Sequence, residues 1–139
     1  MKIFLDSSTI IYAFEFPDSN SALIFDLVLG KNVDGIISPR VLMEVRKYFK
    51  ERRGKDFASL IDFILKSNFV MATIEDLTGE MKKFEGKIKM KDAEQAAIVR
   101  KLNIPYLIAF DRDFKVIREY RTPKDFVQMY GLKARKMEY

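Results

Sequence analysis

Four carboxylates stand where folding alone does not call for them. Asp6 ends the apolar run Ile3-Phe4-Leu5 and is followed at once by three hydroxyl residues, Ser7, Ser8 and Thr9. Asp111 ends a second run of the same kind, Tyr106-Leu107-Ile108-Ala109-Phe110, with Asp113 two residues on. Asp92 opens a segment of helical period, and Glu44 borders the apolar stripe of another, three residues after Val41 and four before Tyr48. Gathered in one place, such groups repel one another and need a cation to stay ionised together. Carboxylate oxygens select hard ions such as Mg²⁺ or Mn²⁺. Ions held this way activate a water and stabilise a leaving oxygen in phosphodiester cleavage. Ser8 or Thr9 would suit a metal-bound water or a phosphate oxygen.

The rest of the composition narrows the chemistry further. The chain has neither histidine nor cysteine, which removes serine–histidine catalysis, imidazole bases, thiolate or histidine zinc sites and disulfides. Carboxylates, hydroxyls, lysines and an oxygen-held metal are what remain. With 139 residues, 48% hydrophobic and 32% charged, the chain has the material for one domain, 1–139, with a core of its own. No apolar run approaches the roughly 18–20 residues needed to span a bilayer, and Asp6 interrupts the N-terminal apolar stretch, against a signal peptide. The expectation is a cytoplasmic protein with no membrane partner. A net charge of +5 favours a polyanionic partner only modestly.

The elements that must position these acids follow from pattern. Buried strands are expected at Ile3–Leu5, Gly35–Ile37, Phe69–Ile74 and Tyr106–Phe110, with a fifth near Val116–Glu119 if that stretch pairs at an edge. Helices are expected from Ile10 to Phe16, from the Ser19-Asn20 cap to Leu29, from Ser38-Pro39 to Arg53, from Asp56 to Lys66, from Glu75 to Phe84, from Asp92 to about Asn103, and from Thr122-Pro123 onward. Gly86 to Lys91 reads as a basic loop. Residues 131–139 read as a polar tail with little to hold it against fraying. Strands alternating with helices give an α/β fold, a three-layer α/β/α sandwich on a mostly parallel sheet of four or five strands.

In a parallel sheet, strand C-termini and the helix N-termini that follow share one edge. Topology therefore makes Asp6, Asp92 and Asp111 neighbours and puts Asp113 in reach, whereas Glu44 joins them only if its helix tilts suitably. Each acid also has a plainer reading. Asp6 can cap the next helix, Asp92 can complement a helix dipole, Asp111 and Asp113 can form a turn, and Glu44 can pair with a lysine. Those four readings are independent, while a shared site accounts for all four positions together. On that reading, Asp6→Ala should stabilise the metal-free protein by relieving repulsion.

At this point the sequence resembles the PIN-domain ribonucleases, over nearly its whole length. The resemblance rests on Leu5-Asp6-Ser7-Ser8, on Glu44 within Val41-Leu42-Met43-Glu44-Val45, on Asp92-Ala93-Glu94-Gln95-Ala96-Ala97 and on Phe110-Asp111-Arg112-Asp113-Phe114. It implies Mg²⁺- or Mn²⁺-dependent endonucleolytic cleavage of RNA. Asp6, Glu44, Asp92 and Asp111 would be the metal-binding acids, Asp113 an auxiliary acid and Ser8 the hydroxyl near the metal. The size suits stand-alone members, many of them toxins of toxin–antitoxin pairs, so an antitoxin protein and a homodimer are implied partners; an RNA-processing role stays open beside the toxin. One departure is Ala109, where many relatives carry threonine or serine two residues before the fourth acid.

Basic residues near the acids, Lys87, Lys89, Lys91, Arg112 and Lys115, suit phosphate contacts that position a strand without reading its sequence. Lys91 either contacts the scissile phosphate or partly neutralises the acids. Tyr12, Phe14 and Phe16 offer either stacking surface or, more in keeping with a short helix, core or dimer packing. Two rival functions remain. One is a non-catalytic PIN-like module that binds RNA or protein. The other uses Asp6 as a phosphoryl acceptor, but it needs a late strand–lysine pairing that the sequence does not offer, and it leaves Glu44 idle.

Overall fold

Ile3, Phe4 and Leu5 have at most 1% of their surface exposed, because their strand, β1 (Lys2–Leu5), lies at the centre of the sheet. The computed structural model describes residues 1–137 and 139. In chain order β1 is followed by α1 (Ser7–Glu15), α2 (Asn20–Leu29), β2 (Asp34–Ile37), α3 (Pro39–Arg53), α4 (Lys55–Asn68), β3 (Val70–Met71), α5 (Thr78–Lys82), α6 (Met90–Lys101), β4 (Tyr106–Ile108), a 3-10 turn (Arg112–Val116), β5 (Tyr120–Arg121) and α7 (Pro123–Tyr130). The sheet order is β3-β2-β1-β4-β5 and every pairing is parallel, with Ile3 opposite both Gly35 and Tyr106. The α/β/α reading and the five-strand count therefore hold.

Helices pack against the sheet and one another, α1 on α2 and α3, α3 on α4, α2 on α7, and α5 on α6. α6 reaches β4 closely because Ala93, Ala96 and Ala97 make its buried face. Gly35 in β2 serves the same end. A Cβ there would lie 2.6 Å from the Phe69 ring, so only glycine lets that ring cover the strand. Gly54, at φ 88, makes the left-handed corner between α3 and α4.

Several boundaries differ from expectation. α1 starts at Ser7, not Ile10, because Asp6 already has the extended backbone of an N-cap. The expected strand Phe69–Ile74 shrinks to two residues at the sheet edge, where there is one neighbour to pair with. The expected helix Glu75–Phe84 keeps only one turn and a half, though Phe84 is buried as its period required. The fifth strand forms at Tyr120–Arg121 rather than near 116–119, because the turn after Asp111 takes up the intervening residues. α6 begins at Met90, so Lys91 stands on a helix and not in a loop.

The tail is tied down. Buried Asn20 accepts the Arg135 backbone N–H on Oδ1 at 2.7 Å, and its Nδ2 donates to the carbonyls of Arg135 and Tyr139. The Tyr139 ring stacks on Phe110 at 4.7 Å. Glu138, also part of the expected frayed segment, lies outside the described residues.

Candidate active site

Asp6 occupies the N-cap of α1 without spending its carboxylate there. Its backbone carbonyl accepts the N–H groups of Thr9 and Ile10, and its own N–H donates to Ile108 across the sheet. The capping reading therefore applies to its backbone alone. The side chain, 9% exposed, accepts Gln95 Nε2 at 2.8 Å, Ser8 Oγ at 2.9 Å and Ser7 Oγ at 3.5 Å. Three donors satisfy the carboxylate oxygens in a place where water scarcely reaches.

Asp92 lies in the first turn of α6 and is 4% exposed. Its Oδ2 is buried with no hydrogen-bond partner among the described residues. Burial, then the charges of Asp111 and Asp6, push its pKa up to about 6, against the pull of Lys91 and Lys89. Asp111 follows β4 and accepts the Asp113 N–H on Oδ1 at 2.9 Å, which starts the 3-10 turn. That turn swings Asp113 back. One carboxylate oxygen from each of Asp92, Asp111 and Asp113 lies within 4.8 Å of the others. The turn-forming reading of Asp111 is thus true and is also what assembles the triad.

Glu44 does join the cleft. It shares a lining with Asp6, Ser8, Asp92, Asp111 and Phe110. Its pKa is raised, first by burial and then by Asp6, with Lys91, Arg40 and a hydrogen bond to Ser7 acting the other way. Lys91 Nζ stands 3.9 Å from Glu44 Oε2, so the lysine-pairing reading of Glu44 coexists with its place in the cleft. Arg112 and Lys115 are exposed on the 3-10 turn and are not among the lining residues, whereas Lys89 and Lys91 are.

Thr9 does not take part. Its Oγ1 donates to the Ile108 carbonyl at 3.1 Å inside the fold, tying α1 to β4. Ser7, with no role expected for it, instead touches both Asp6 and Glu44. Gln95 was not anticipated. It stands three residues after Asp92, hence on the same flank of α6, and it is the one amide side chain of that helix. Ala109 is fully buried and donates its N–H to Arg121, so no hydroxyl stands at that point. Phe14 packs into the core on Phe25 and Phe49, while Tyr12 bridges Phe16 and Phe110 at the cleft's border.

The family model of the PIN domain matches residues 3–120, most of the chain. The chain belongs to the PIN domain family. None of the curated proteins compared matches it. Among solved structures, this PIN domain is similar to a chain of a toxin–antitoxin complex from Klebsiella pneumoniae, at 20% identity and a TM-score of 0.69 over 87% of this chain and 97% of that one. It is similar to VapBC2 from Rickettsia felis, bound to a DNA fragment from its promoter, at 21% identity and TM-score 0.68 over 88% and 98%. It is also similar to the Mycobacterium tuberculosis toxin VapC20, which cleaves the sarcin–ricin loop, at 24% identity and TM-score 0.60 over 82% and 93%. At these identities the likeness is one of fold.

The donor set of this PIN domain fits a hard divalent cation. Three carboxylates converge from a helix turn and a strand end, and one of their oxygens is buried without a donor. An orphaned buried acceptor is costly to leave unmet. A cation such as Mg²⁺ or Mn²⁺ would satisfy it and remove the mutual repulsion.

Proposed function

We propose that this PIN domain, acting as one domain over residues 1–139, is a metal-dependent endoribonuclease. The observation that carries this is the buried, unpartnered Oδ2 of Asp92 beside Asp111 and Asp113. Asp92, Asp111 and Asp113 would hold Mg²⁺ or Mn²⁺, with Asp6 and Glu44 in the same cleft as further ligands. Such an ion, when bound, supplies charge to activate a water and to stabilise the leaving oxygen in phosphodiester hydrolysis.

The chain's own residues do the rest. Ser8 and Gln95 hold the Asp6 carboxylate in one orientation by donating to it. Lys91, next to Asp92 and within 3.9 Å of Glu44, is placed to contact a phosphate that displaces it from the glutamate. Lys89 adds a second cation on the same wall. Arg112 and Lys115 on the exposed turn would follow the strand beyond the acids. Phosphate contacts of this kind orient a strand without selecting its sequence.

The toxin–antitoxin and toxin descriptions of structurally similar proteins support an antitoxin partner for this chain, and with RNA as substrate a cytoplasmic setting. No helix among the described residues is long and apolar enough to cross a membrane. Exposed Leu60 and Phe63 on α4 support a homodimer or an antitoxin contact. A second reading, a non-cutting RNA- or protein-binding module, is favoured by Ala109 and by the partial neutralisation of Glu44 by Lys91. Cleavage of labelled RNA with and without metal separates the two. Metal-dependent cutting supports the nuclease, and binding without cutting supports the module.

A further inference from the structure

A second charged surface lies outside the acid cleft. Lys47 and Lys50 of α3 face Lys55 at the start of α4 across a groove also lined by Met43, Arg46 and Ser59. All four cations are exposed. Arg46 is paired with Asp62 at 3.4 Å, but Lys47, Lys50 and Lys55 have no acidic partner among the described residues. Placing them together works against the helix, because Arg46 and Lys50, four apart, and Lys47 and Lys50, three apart, are like-charged neighbours. Nothing in the core requires this arrangement.

One helix contributes to both the groove and the acid cleft. α3 supplies Glu44 to the cleft, and Lys47 follows three residues later on the adjoining flank, with Lys50 about 9 Å along the axis from Glu44 at a rise of about 1.5 Å per residue. One turn before Glu44, Arg40 stands at the rim, paired with Glu94 at 3.3 Å. A polyanion crossing the acids would meet Lys91, then the α3 flank, then the Lys47–Lys50–Lys55 groove.

We propose that this groove is a distal docking site for the phosphate backbone of the RNA being cut, which makes chains that reach beyond the acid cleft the preferred substrates. The proposal rests on the nuclease reading. Lys47, Lys50 and Lys55 would neutralise successive phosphates, and each neutralised phosphate adds about 0.7 to the slope of log affinity against log salt for a single strand.

The test compares Asp92→Asn with Asp92→Asn carrying Lys47→Gln, Lys50→Gln and Lys55→Gln, by fluorescence anisotropy on labelled single-stranded RNAs of 30 and 6 nucleotides across a salt series. The triple change should weaken binding of the long RNA about tenfold at low salt and flatten its salt slope by about 2, leaving the short RNA unchanged. A parallel assay of the triple variant with Asp92 intact should show unchanged cleavage of the short RNA, with an unchanged melting temperature as the folding control. Equal affinity and slope on the long RNA, or equal losses on both lengths, would overturn the docking site. So would a slope change seen with duplex DNA or an acidic peptide but not with RNA. If the wild type cuts neither RNA, the nuclease reading fails separately, because the binding comparison needs no cleavage.

Discussion

Gln95 donates Nε2 to Asp6 Oδ1 at 2.8 Å and keeps its own Oε1 buried without a partner. The amide is thereby fixed with its donor toward the acid, and its acceptor has no partner among the described residues. An aspartate that must present a set oxygen to a cation needs such an orienting neighbour, and losing one typically costs about 10- to 100-fold in metal affinity or activity. Gln95→Leu should therefore fold, yet lower cleavage by about that factor and weaken Mn²⁺ affinity in parallel. Titration of Mn²⁺ by electron paramagnetic resonance would check this beside the RNA assay. Unchanged Mn²⁺ affinity would leave Gln95 as packing only.

Asp92 should make the metal-free protein sensitive to pH. Its folded pKa, about 6, lies above the unfolded value of about 3.9. Between those values the folded chain holds the proton more tightly than the unfolded one. As far as this group is concerned, stability in chelator should thus be greatest below about pH 4 and fall as pH rises from there through 6, by on the order of 1 kcal/mol after solvent screening. Glu44, also raised, acts in the same direction. Melting temperatures with chelator across about pH 4 to 7 would show the fall, and Mg²⁺ at the upper end should reverse it.

Removing repulsion by mutation now points to a different residue than the sequence did. Asp6→Ala would strand the buried amide of Gln95 and the Ser8 hydroxyl, at a cost of about 1–3 kcal/mol for such groups. Any relief of repulsion would be offset. Asp92→Asn removes a charge whose Oδ2 has no donor to lose. It should raise the melting temperature of the metal-free protein by a few degrees, while Asp6→Ala lowers it, which differential scanning calorimetry would resolve.

The tail offers a stability test remote from the acids. Asn20, fully buried, makes three hydrogen bonds to the backbone of Arg135 and Tyr139. Asn20→Ala should cost about 1–3 kcal/mol and expose the chain after Gly131 to proteolysis. Limited digestion followed by mass spectrometry would reveal the new cut sites.

What could be read from the sequence was what depends on local pattern and topology. Apolar runs ending in Asp6 and Asp111 gave the central strands, Ser38-Pro39 gave α3, and parallel order alone placed Asp6, Asp92 and Asp111 on one edge. What escaped was set by tertiary contact. The role of Gln95 depends on the approach of α6 to Asp6, 89 residues away in sequence, and a lone amide carries no signal of that. The family resemblance makes Asp113 no more than an auxiliary acid, whereas the turn geometry after Asp111 brings it to Asp92. The tail looked free because its polar composition hides that its backbone, not its side chains, is what Asn20 grips. The edge strands were misjudged in length because pairing on one side, not hydrophobicity, limits them.

The central claim is that the carboxylate cluster around Asp92 cuts RNA with a divalent metal. Its most direct test is cleavage of a labelled, mixed-sequence single-stranded RNA by the wild type and by Asp92→Asn, each with Mg²⁺, with Mn²⁺ and with chelator. The expected result is cutting by the wild type with metal, none with chelator, and a loss of at least about 100-fold in the folded mutant, of the size seen when one group stabilising a transition state is removed. Equal cutting by the mutant, or cutting that survives chelation, would contradict it.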